Sequence, residues 1–200
     1  IILLCMFMSV SGFSPLNDEG PKDFRNPHVG YPFEKMVIDP ATSRLYVGGV
    51  NHLYDLTPDL TVSKAATTGP RDDSPECYDR DDPCVKARLP TDSHTKALSI
   101  DDESTHLIEC SSLFQGRCRL RMLHNITDII SESPPVLAND ANSSSVIFVG
   151  HSPIDSSDDH PLHGPTIESV LYVASTYVGG NSYRDDVPAV ASRTLRKSVD

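Results

Sequence analysis

Short apolar runs separated by polar turns recur along the chain. Met36–Val50 (MVIDPATSRLYVGGV) and Leu98–Ser112 (LSIDDESTHLIECSS) align without a gap at an offset of 62 positions, and each consists of two apolar runs around a polar turn. Leu171–Thr176 (LYVAST) repeats the second half of this pattern 64 positions after Leu107, which predicts Ser145–Val149 (SVIFV) as its partner strand. Self-similarity at a fixed period is typical of solenoids and propellers. The pattern therefore predicts a repeated unit of antiparallel strands.

The first unit extends to four strands. Met36–Val50 supplies two of them, and His52–Leu56 and Leu60–Ala66 follow, joined by the turn Thr57-Pro58-Asp59. Gly48-Gly49 favours a bulge or a close approach of neighbouring backbone, where inner strands crowd together, since glycine has no Cβ. Four antiparallel strands in a unit of about 60 residues describe one blade of a β-propeller, so the predicted fold class is all-β.

One segment outside this repeat leaves its structure open. Thr127–Ser133 is compatible with a short helix, and Ile129-Ile130 within it would equally suit a strand. No linker is long enough to divide the chain into two domains, and we expect residues 30–200 to form one propeller region.

The first ten residues, IILLCMFMSV, carry no charge. They are too few to span a bilayer, which takes roughly 20 apolar residues. Small residues at Ser9, Ser11 and Gly12 resemble the cleavage zone of a secretory signal peptide. We expect residues 1–14 to be such a peptide, truncated at its start because neither an initiator Met nor a basic segment precedes Ile1, and residues 15–29 to be a lead-in. A buried strand is the alternative for the first ten residues.

Chain length and net charge narrow the classes of molecule that the protein could bind. Two hundred residues suit one globular domain, and the formal net charge is −11. This charge argues against a nucleic-acid partner, because phosphate contacts need clustered Lys and Arg. Acidity by itself identifies no partner, and a solvated surface accounts for it.

Secretion changes the interpretation of the cysteines. If Cys5 leaves with the signal peptide, an even number of cysteines remains, which favours disulfides in an oxidising compartment. Of three possible connectivities, the spacings favour Cys77–Cys84 and Cys110–Cys118. Metal binding or free thiols are the alternatives. A metal site would need paired CxxC or CxxH ligands, and none of these four cysteines has such a neighbour.

Motifs that bind phosphate or activate a nucleophile are absent from the sequence, which contains no GxGxxG, GxxxxGK[ST], GxSxG or HExxH. Adjacent carboxylates do occur, but neighbours on an extended chain point to opposite sides and do not form an acid–base pair. These pairs are Asp72-Asp73, Asp81-Asp82, Asp101-Asp102 and Asp185-Asp186. We therefore predict no catalytic residue, no cofactor and no enzymatic activity.

One polar loop offers metal-ligand residue types, namely Asp155, Asp158, Asp159, His160 and His163. The two histidines would share a helix face, but Pro161 and Pro165 disfavour a continuous helix through them. A solvated loop is the preferred interpretation, and we predict no metal site.

Two N-x-[ST] sequons occur, at Asn125 (Asn-Ile-Thr) and Asn142 (Asn-Ser-Ser). In a secreted protein such sequons are acceptors for N-linked glycans. Asn142 lies in a polar segment and Asn125 follows an apparent strand, so we predict both as glycosylation sites.

Several of these segments occur in the order found in one family. Phe33–Leu60 (FEKMVIDPATSRLYVGGVNHLYDLTPDL) resembles the first blade of a plexin sema domain. Thr68–Cys77 (TGPRDDSPEC), followed by Cys84, is similar to the plexin TGP…C…C segment, and Cys110–Cys118, with Gln115-Gly116 inside it, resembles the CGS…QGxC hairpin. Similar residues also occur at Phe148-Val149-Gly150 and Ser192–Leu195. The resemblance covers about residues 30–197.

The resemblance implies a seven-bladed propeller on the extracellular side of a single-pass membrane receptor, of which the chain would contain two blades and part of a third. It implies a semaphorin ligand, a receptor able to form homo-oligomers, and the pairs Cys77–Cys84 and Cys110–Cys118. Ligand contact in the family lies largely on the third and fourth blades, so no ligand-binding residue is assigned.

Two other functions are open at this point. A semaphorin, or a protein like the scatter-factor receptors, would share the sema fold, although the TGP segment and cysteine spacing favour a plexin. A secreted propeller hydrolase is the alternative from another class, and it would need carboxylates brought together from different blades.

Overall fold

The computed structural model describes most of the chain beyond the N-terminal segment. The described residues are 22–74, 76–77, 87–101, 105–154, 166–176 and 188–195. The predicted signal peptide of residues 1–14 and the first part of the lead-in lie outside them, as does Cys84.

Nearly all the regular secondary structure of the described residues is β-strand. In chain order the elements are β1 (Phe33–Ile38), β2 (Leu45–Gly49), β3 (His52–Leu56), β4 (Val62–Thr67), β5 (Arg71–Asp73), β6 (Leu89–Thr91), β7 (Thr95–Asp101), β8 (His106–Ser111), α1 (Leu113–Gly116), β9 (Cys118–Met122), β10 (Asn125–Glu132), β11 (Ser145–Ile154), β12 (Thr166–Ser175) and β13 (Val190–Thr194).

The strands form antiparallel sheets in which neighbours along the chain are neighbours in space. The first sheet has the order β1-β2-β3-β4, the second β7-β8-β9-β10 and the third β11-β12-β13. β5 and β6 form a two-stranded hairpin within the link between the first two sheets. Such up-and-down sheets of four strands are the unit of a propeller, and the predicted all-β propeller class is confirmed.

The sequence repeat reappears in the strand register. Ile38 lies opposite Leu45 in the first sheet, and Ile100 lies opposite Leu107 in the second. The third sheet pairs Val149 with Leu171, so the predicted partnership of Ser145–Val149 with LYVAST is confirmed. Each copy of the sequence repeat therefore corresponds to one sheet of the structure.

The undecided segment after Thr127 is a strand. It belongs to β10 (Asn125–Glu132), which pairs with β9 through a register shifted at two places. Ile126 is fully buried against the first sheet, whereas Ile129 is half exposed. Alternation across a strand, rather than helical periodicity, explains these different environments.

The core consists of apolar layers between successive sheets. One layer joins the first and second sheets and includes Tyr46, Leu53, Leu107 and Ile126. A second layer joins the second and third sheets, with Ile108, Leu120, Val136, Leu137, Leu171 and Val173 among its members. Burial of this area from water is the main favourable contribution to stacking the sheets.

The lead-in covers part of the free face of the first sheet. The Phe24 ring lies 5.3 Å from the rings of both Phe33 and Tyr54. Phe24 also packs on the cluster of Val47, Tyr54 and Leu56. The described end of the lead-in is thus bound to the sheet that follows it.

The glycine corner lies where two sheets meet. A Cβ at Gly48 would lie 2.4 Å from Cγ2 of Thr95, the first residue of β7. The Thr95 hydroxyl also donates a hydrogen bond to the Gly49 carbonyl oxygen at 2.9 Å. The close approach to backbone that the sequence predicts occurs at Gly49, where a Cβ would lie 2.8 Å from the Pro32 carbonyl oxygen, whereas Gly48 approaches a side chain of the neighbouring sheet.

Candidate functional site

Alternate links between strands lie at opposite edges of the sheets. The β2–β3 corner, the link from β4 to β7, α1 and the link from β10 to β11 share one edge, which we name the connection face. The β1–β2, β3–β4 and β9–β10 turns share the other, which we name the turn face. Since binding residues are commonly carried by links on a rigid scaffold, these two faces are the first places to search.

Asn51 joins two sheets at the connection face. It is buried and left-handed, with φ 64°. Its backbone N–H donates to the Ser93 carbonyl at 2.9 Å, and its Oδ1 accepts from the Ser93 N–H at 2.8 Å. Its Nδ2 donates to Asp92 at 2.7 Å, and its carbonyl accepts from the Thr68 N–H at 2.8 Å. One asparagine therefore fixes both ends of the link from β4 to β7.

The short α1 segment is held between β8 and β9. A disulfide joins Cys110 and Cys118, which are paired across these strands. Phe114 and Gln115 inside α1 have φ of 52° and 64°, so the segment is a tight left-handed turn rather than a helix. The disulfide closes the loop at its base and limits how far this turn can open.

The tip of α1 connects with two other links. The Asp73 carboxylate accepts from the Phe114 N–H at 2.7 Å, and Gln115 Nε2 donates to the Ser74 carbonyl at 3.2 Å. Asn139 Nδ2 donates to Gln115 Oε1. Gln115 is buried, and these hydrogen bonds satisfy both the nitrogen and the oxygen of its amide. The connection face around α1 is a fixed platform.

Charged side chains at two β-bulges join each sheet to the next. The register of β1 shifts around Glu34, whose carboxylate lies 2.7 Å from His94 Nδ1 and accepts from the Thr95 N–H at 2.5 Å. The register of β7 shifts around Lys96, which is 5% exposed. Its ammonium donates to the carbonyls before β11, at 2.8 Å for Asp140 and 3.1 Å for Ala141, and also to that of Ser143.

Electrostatics at the second of these joints follows from burial. Burial lowers the pKa of Lys96, with the charge of Asp140 opposing this effect. Burial alone would raise the pKa of Asp140, but hydrogen bonds from Ser143 and from the Asn142 N–H bring the net pKa below its ordinary value. The lowered pKa of Asp140 keeps its carboxylate charged at neutral pH, and this charge together with the three carbonyl contacts stabilises the buried Lys96 ammonium.

A groove with a volume of about 480 Å³ follows the outer edge between β4 and β10. Its lining includes Ala66, Arg71, Phe114, Arg121, Ile129 and Glu132. The fully buried Glu109 accepts from Nε and Nη2 of Arg121, each at 3.0 Å, and Arg119 Nε donates to Glu132 at 2.8 Å. Arg119 and Arg121 therefore bind carboxylates of the chain itself, and both cations have a structural role.

A second cavity, with a volume of about 740 Å³, opens on the turn face. Tyr46 donates its hydroxyl to the Leu123 carbonyl at 3.0 Å, and burial raises the pKa of Tyr46 to about 12. Arg44 contacts Asp55 through two hydrogen bonds of 2.8 Å and 2.6 Å, and the bond with Asp55 raises the pKa of Arg44. This is a bidentate pair that fixes the β1–β2 turn.

The structure places the sequence-predicted residues at different edges. Cys110 and Cys118 are bonded at the connection face, and Cys77 is disulfide-bonded there, while its predicted partner Cys84 lies outside the described residues. Asn142 is exposed at the connection face, whereas Asn125 is half-buried beside the turn face. These residues do not form one site.

The adjacent carboxylates and the metal-ligand residue types of the sequence can also be compared with the structure. Asp72 is exposed and Asp73 is buried, so this pair diverges as expected for an extended chain. The loop residues Asp155, Asp158, Asp159, His160 and His163 lie outside the described residues. Within the described ranges no group of three His, Cys, Asp or Glu side chains is placed to hold a metal ion. Over the same ranges, no helix has both the length and the apolar character needed for a bilayer crossing.

The contacts that Glu34 and Lys96 make between sheets were not predicted from the sequence. The hydrophobic pattern reports which residues face the core, and both are charged residues just before an apolar run. One signal in the sequence could have linked them, because Glu34 and Lys96 are separated by the repeat offset of 62 and so occupy equivalent positions. Since their charges are opposite, this equivalence is recognised only from their bulges and contacts in the structure.

Comparisons with known proteins give a consistent result. No family model matches the chain. Plexin-B3 of Mus musculus is 36% identical over 103 residues, which cover 50% of this chain and 5% of that protein. Plexin-A4 of Homo sapiens is 32% identical over 175 residues, covering 84% and 8%. Plexin-B2 of Mus musculus is 30% identical over 201 residues, covering 96% and 10%.

A solved structure of the full extracellular region of Plexin A4 superposes with a TM-score of 0.63 at 27% identity. The match covers 82% of this chain and 17% of that one. The chain therefore spans a small part of each protein it matches, a tenth or less of the length of the curated relatives.

The stacked antiparallel sheets, their clasped links and the disulfide-closed turn define part of an extracellular β-propeller of the sema type. The relatives at sequence and structure level agree on one group. The chain belongs to the plexin family, as its sequence motifs predict.

Proposed function

We propose that the chain is part of the extracellular ligand-binding region of a plexin-like cell-surface receptor, and that this receptor binds a semaphorin. The observation that carries the proposal is the 32% identity to Plexin-A4 over 84% of the chain, together with the matching fold of its extracellular region. Residues 1–14 would direct the protein to the secretory pathway, and the chain would stand on the outer side of the cell membrane.

The described structure suits binding more than catalysis. Its links are fixed by buried hydrogen bonds such as those of Asn51 and Gln115. At the outer groove, Arg119 and Arg121 are bound to carboxylates of the chain itself. Links held on a rigid scaffold present a surface of constant shape, which reduces the entropy lost on binding. A protein ligand would then be recognised by shape and polar complementarity over a broad area.

In this proposal the first two sheets are mainly scaffold. The family resemblance assigns ligand contact largely to the third and fourth blades, so the contact surface would begin at the sheet of β11–β13 and continue into further blades. The receptor would transmit the signal through regions outside this chain. Homo-oligomerisation of the receptor belongs to the same proposal.

The test is direct binding by the whole extracellular region that contains this chain. The purified region is immobilised, and a panel of semaphorin ectodomains is passed over it in surface plasmon resonance. We expect saturable binding of at least one semaphorin and no binding of the same semaphorin after heat denaturation. If the immobilised region melts cooperatively and yet binds none of the panel, the proposal is wrong.

One further injection and one activity assay separate the alternatives. A plexin ectodomain that binds in place of every semaphorin would identify the protein as a ligand rather than a receptor. Glycan and ester substrates incubated with the same sample test for the secreted hydrolase, and turnover that a receptor would not show would indicate that class.

A further inference from the structure

We propose that Asn142 carries an N-linked glycan that stands on the connection face, at the link between the second and third sheets. This inference rests on the proposed extracellular function, because glycan transfer requires the secretory pathway. The structural argument concerns whether the folded chain presents this asparagine, and it is independent of which ligand the receptor binds.

A preformed turn holds the sequon in place. Asp140 Oδ1 accepts from the N–H groups of Asn142 at 2.9 Å and Ser143 at 2.8 Å, and Asp140 Oδ2 accepts from the Ser143 hydroxyl. On the other side, the Lys96 ammonium binds the carbonyls of Asp140, Ala141 and Ser143. The N–H groups of all three sequon residues are thus satisfied without help from the Asn142 side chain.

The two residues that glycan transfer uses face solvent. Asn142 and Ser144 are both exposed, while Ser143 between them is buried. Within the described part of the chain the Asn142 amide and the Ser144 hydroxyl have no hydrogen-bond partner, and only the backbone of Ser144 is bonded, to Thr176. A glycan on Asn142 therefore displaces no contact of the fold.

The second sequon has a different environment. Asn125 is half-buried in the first position of β10, and its Oδ1 accepts from the Thr127 hydroxyl at 2.9 Å. It lies beside the turn face, at the opposite edge of the same sheet. Modification of Asn125 stays a separate prediction, and its outcome does not alter the inference for Asn142.

The experiment uses the full-length protein expressed in a eukaryotic secretory cell line. Glycans are removed with an amidase in heavy-oxygen water, so that each formerly glycosylated Asn becomes a labelled Asp, and the peptides are mapped by mass spectrometry. We expect a labelled residue at position 142 in most copies. The label at position 142 should be lost in Ser144→Ala and kept in Ser144→Thr and in Asn125→Gln.

A second readout tests the claim that the glycan is not a structural element. Ser144→Ala is expected to leave the melting midpoint within about 2 °C of the wild type, because the change is exposed and breaks no side-chain contact. Asp140→Ala keeps the sequon and removes the carboxylate that orders the turn. We expect it to lower the melting midpoint while position 142 stays labelled.

The same digest, left unreduced, reports whether Cys110 and Cys118 are linked, and this separates two failures. An intact disulfide with an unlabelled position 142 would overturn the inference for Asn142 and leave the extracellular proposal standing. Free thiols together with an unlabelled position 142 would overturn both, since the protein would then not have passed through an oxidising secretory compartment.

Discussion

At the scale of single residues, Glu34 and Lys96 perform one task with opposite charges. Each sits at a bulge in the first strand of its sheet, and each reaches the backbone that leads into the next sheet. Glu34 accepts from an N–H group, and Lys96 donates to carbonyl groups. A bulge turns a side chain out of the regular alternation, which is why a charged residue can lie within an apolar strand pattern here.

Replacing Lys96 should loosen the joint between the second and third sheets. Lys96→Met keeps the aliphatic stem and removes the ammonium, and we expect a local loss of about 2 kcal/mol, on the order of 30-fold faster amide exchange at residues 140–144. Hydrogen exchange with mass spectrometry measures this directly. The control is Lys35→Met, an exposed neighbour in sequence of Glu34. Equal exchange in the two variants would show that the ammonium does not hold the link.

The raised pKa of Tyr46 leads to a prediction about the stability of the fold at alkaline pH. Burial raises its pKa from 10.0 to about 12, so the neutral phenol stabilises the fold fully below pH 10.0 and this contribution is lost as pH rises through 12. Tyr46→Phe should cost about 1 kcal/mol at neutral pH through the lost bond to Leu123, and should reduce the decline in stability between pH 10 and 12. Urea midpoints across this pH range measure both effects.

The control for this experiment is Tyr31→Phe, because Tyr31 is exposed just before β1. It should leave both the neutral stability and the alkaline decline of the wild type in place. A Tyr46→Phe profile parallel to the wild type through pH 12 would count against Tyr46 as the titrating group.

At the scale of elements, the α1 turn depends on backbone contact with the link from β10 to β11. Gly116 has φ 75°, and its carbonyl accepts from the N–H groups of Val136 at 2.9 Å and Leu137 at 3.1 Å. A Cβ at this position would lie 2.1 Å from the Leu137 carbonyl oxygen. The turn and the link therefore fit because residue 116 has no Cβ.

Gly116→Ala should separate these two elements. Gly30 offers a matched control, because its φ of 93° is also positive but an added Cβ would meet nothing within 4 Å. Gly30→Ala should cost about 1–2 kcal/mol from backbone strain alone, and Gly116→Ala should cost more because the backbone of Leu137 must also move. Thermal unfolding of the two variants side by side decides the matter, and equal losses would mean that the close contact is relieved without cost.

Strand boundaries were more predictable than the contacts between links. The repeated apolar pairs predicted β2 and β3 within two residues, and β4 begins at Val62 rather than Leu60 because Leu60 adopts φ 62° inside the turn. The hydrogen bonds of Asn51 and Gln115 could not be predicted, since they join residues about 40 positions apart. Such contacts depend on how sheets stack, which local periodicity does not encode.

At the scale of the whole molecule, the two ends of the stack carry apolar surface. Met36 is 73% exposed on the first sheet, and Phe148 is 57% exposed on the third. In a closed propeller each sheet packs against two neighbours. Surface of this kind, left uncovered, favours association.

We predict that residues 15–200 expressed alone will be poorly soluble or will aggregate. Light scattering after size exclusion measures the mass, and Met36→Lys with Phe148→Lys should raise the monomer fraction by adding charge to both apolar faces. The matched control is Ser63→Lys with Ala65→Lys, which adds the same charge at exposed positions of β4, away from Met36 and Phe148. A monomer of the unaltered fragment with a sharp cooperative melt would contradict the prediction.

The opposite charges of Glu34 and Lys96 also determine which backbone groups the next sheet must present at the joint. A sheet that follows the first must offer an N–H group at its start, and a sheet that follows the second must offer carbonyl groups. Exchanging the two sheets in a rearranged gene would place a carboxylate against carbonyl oxygens. The hydrogen-bonding groups at the two joints are therefore not interchangeable, and they favour the order of sheets that the chain itself has.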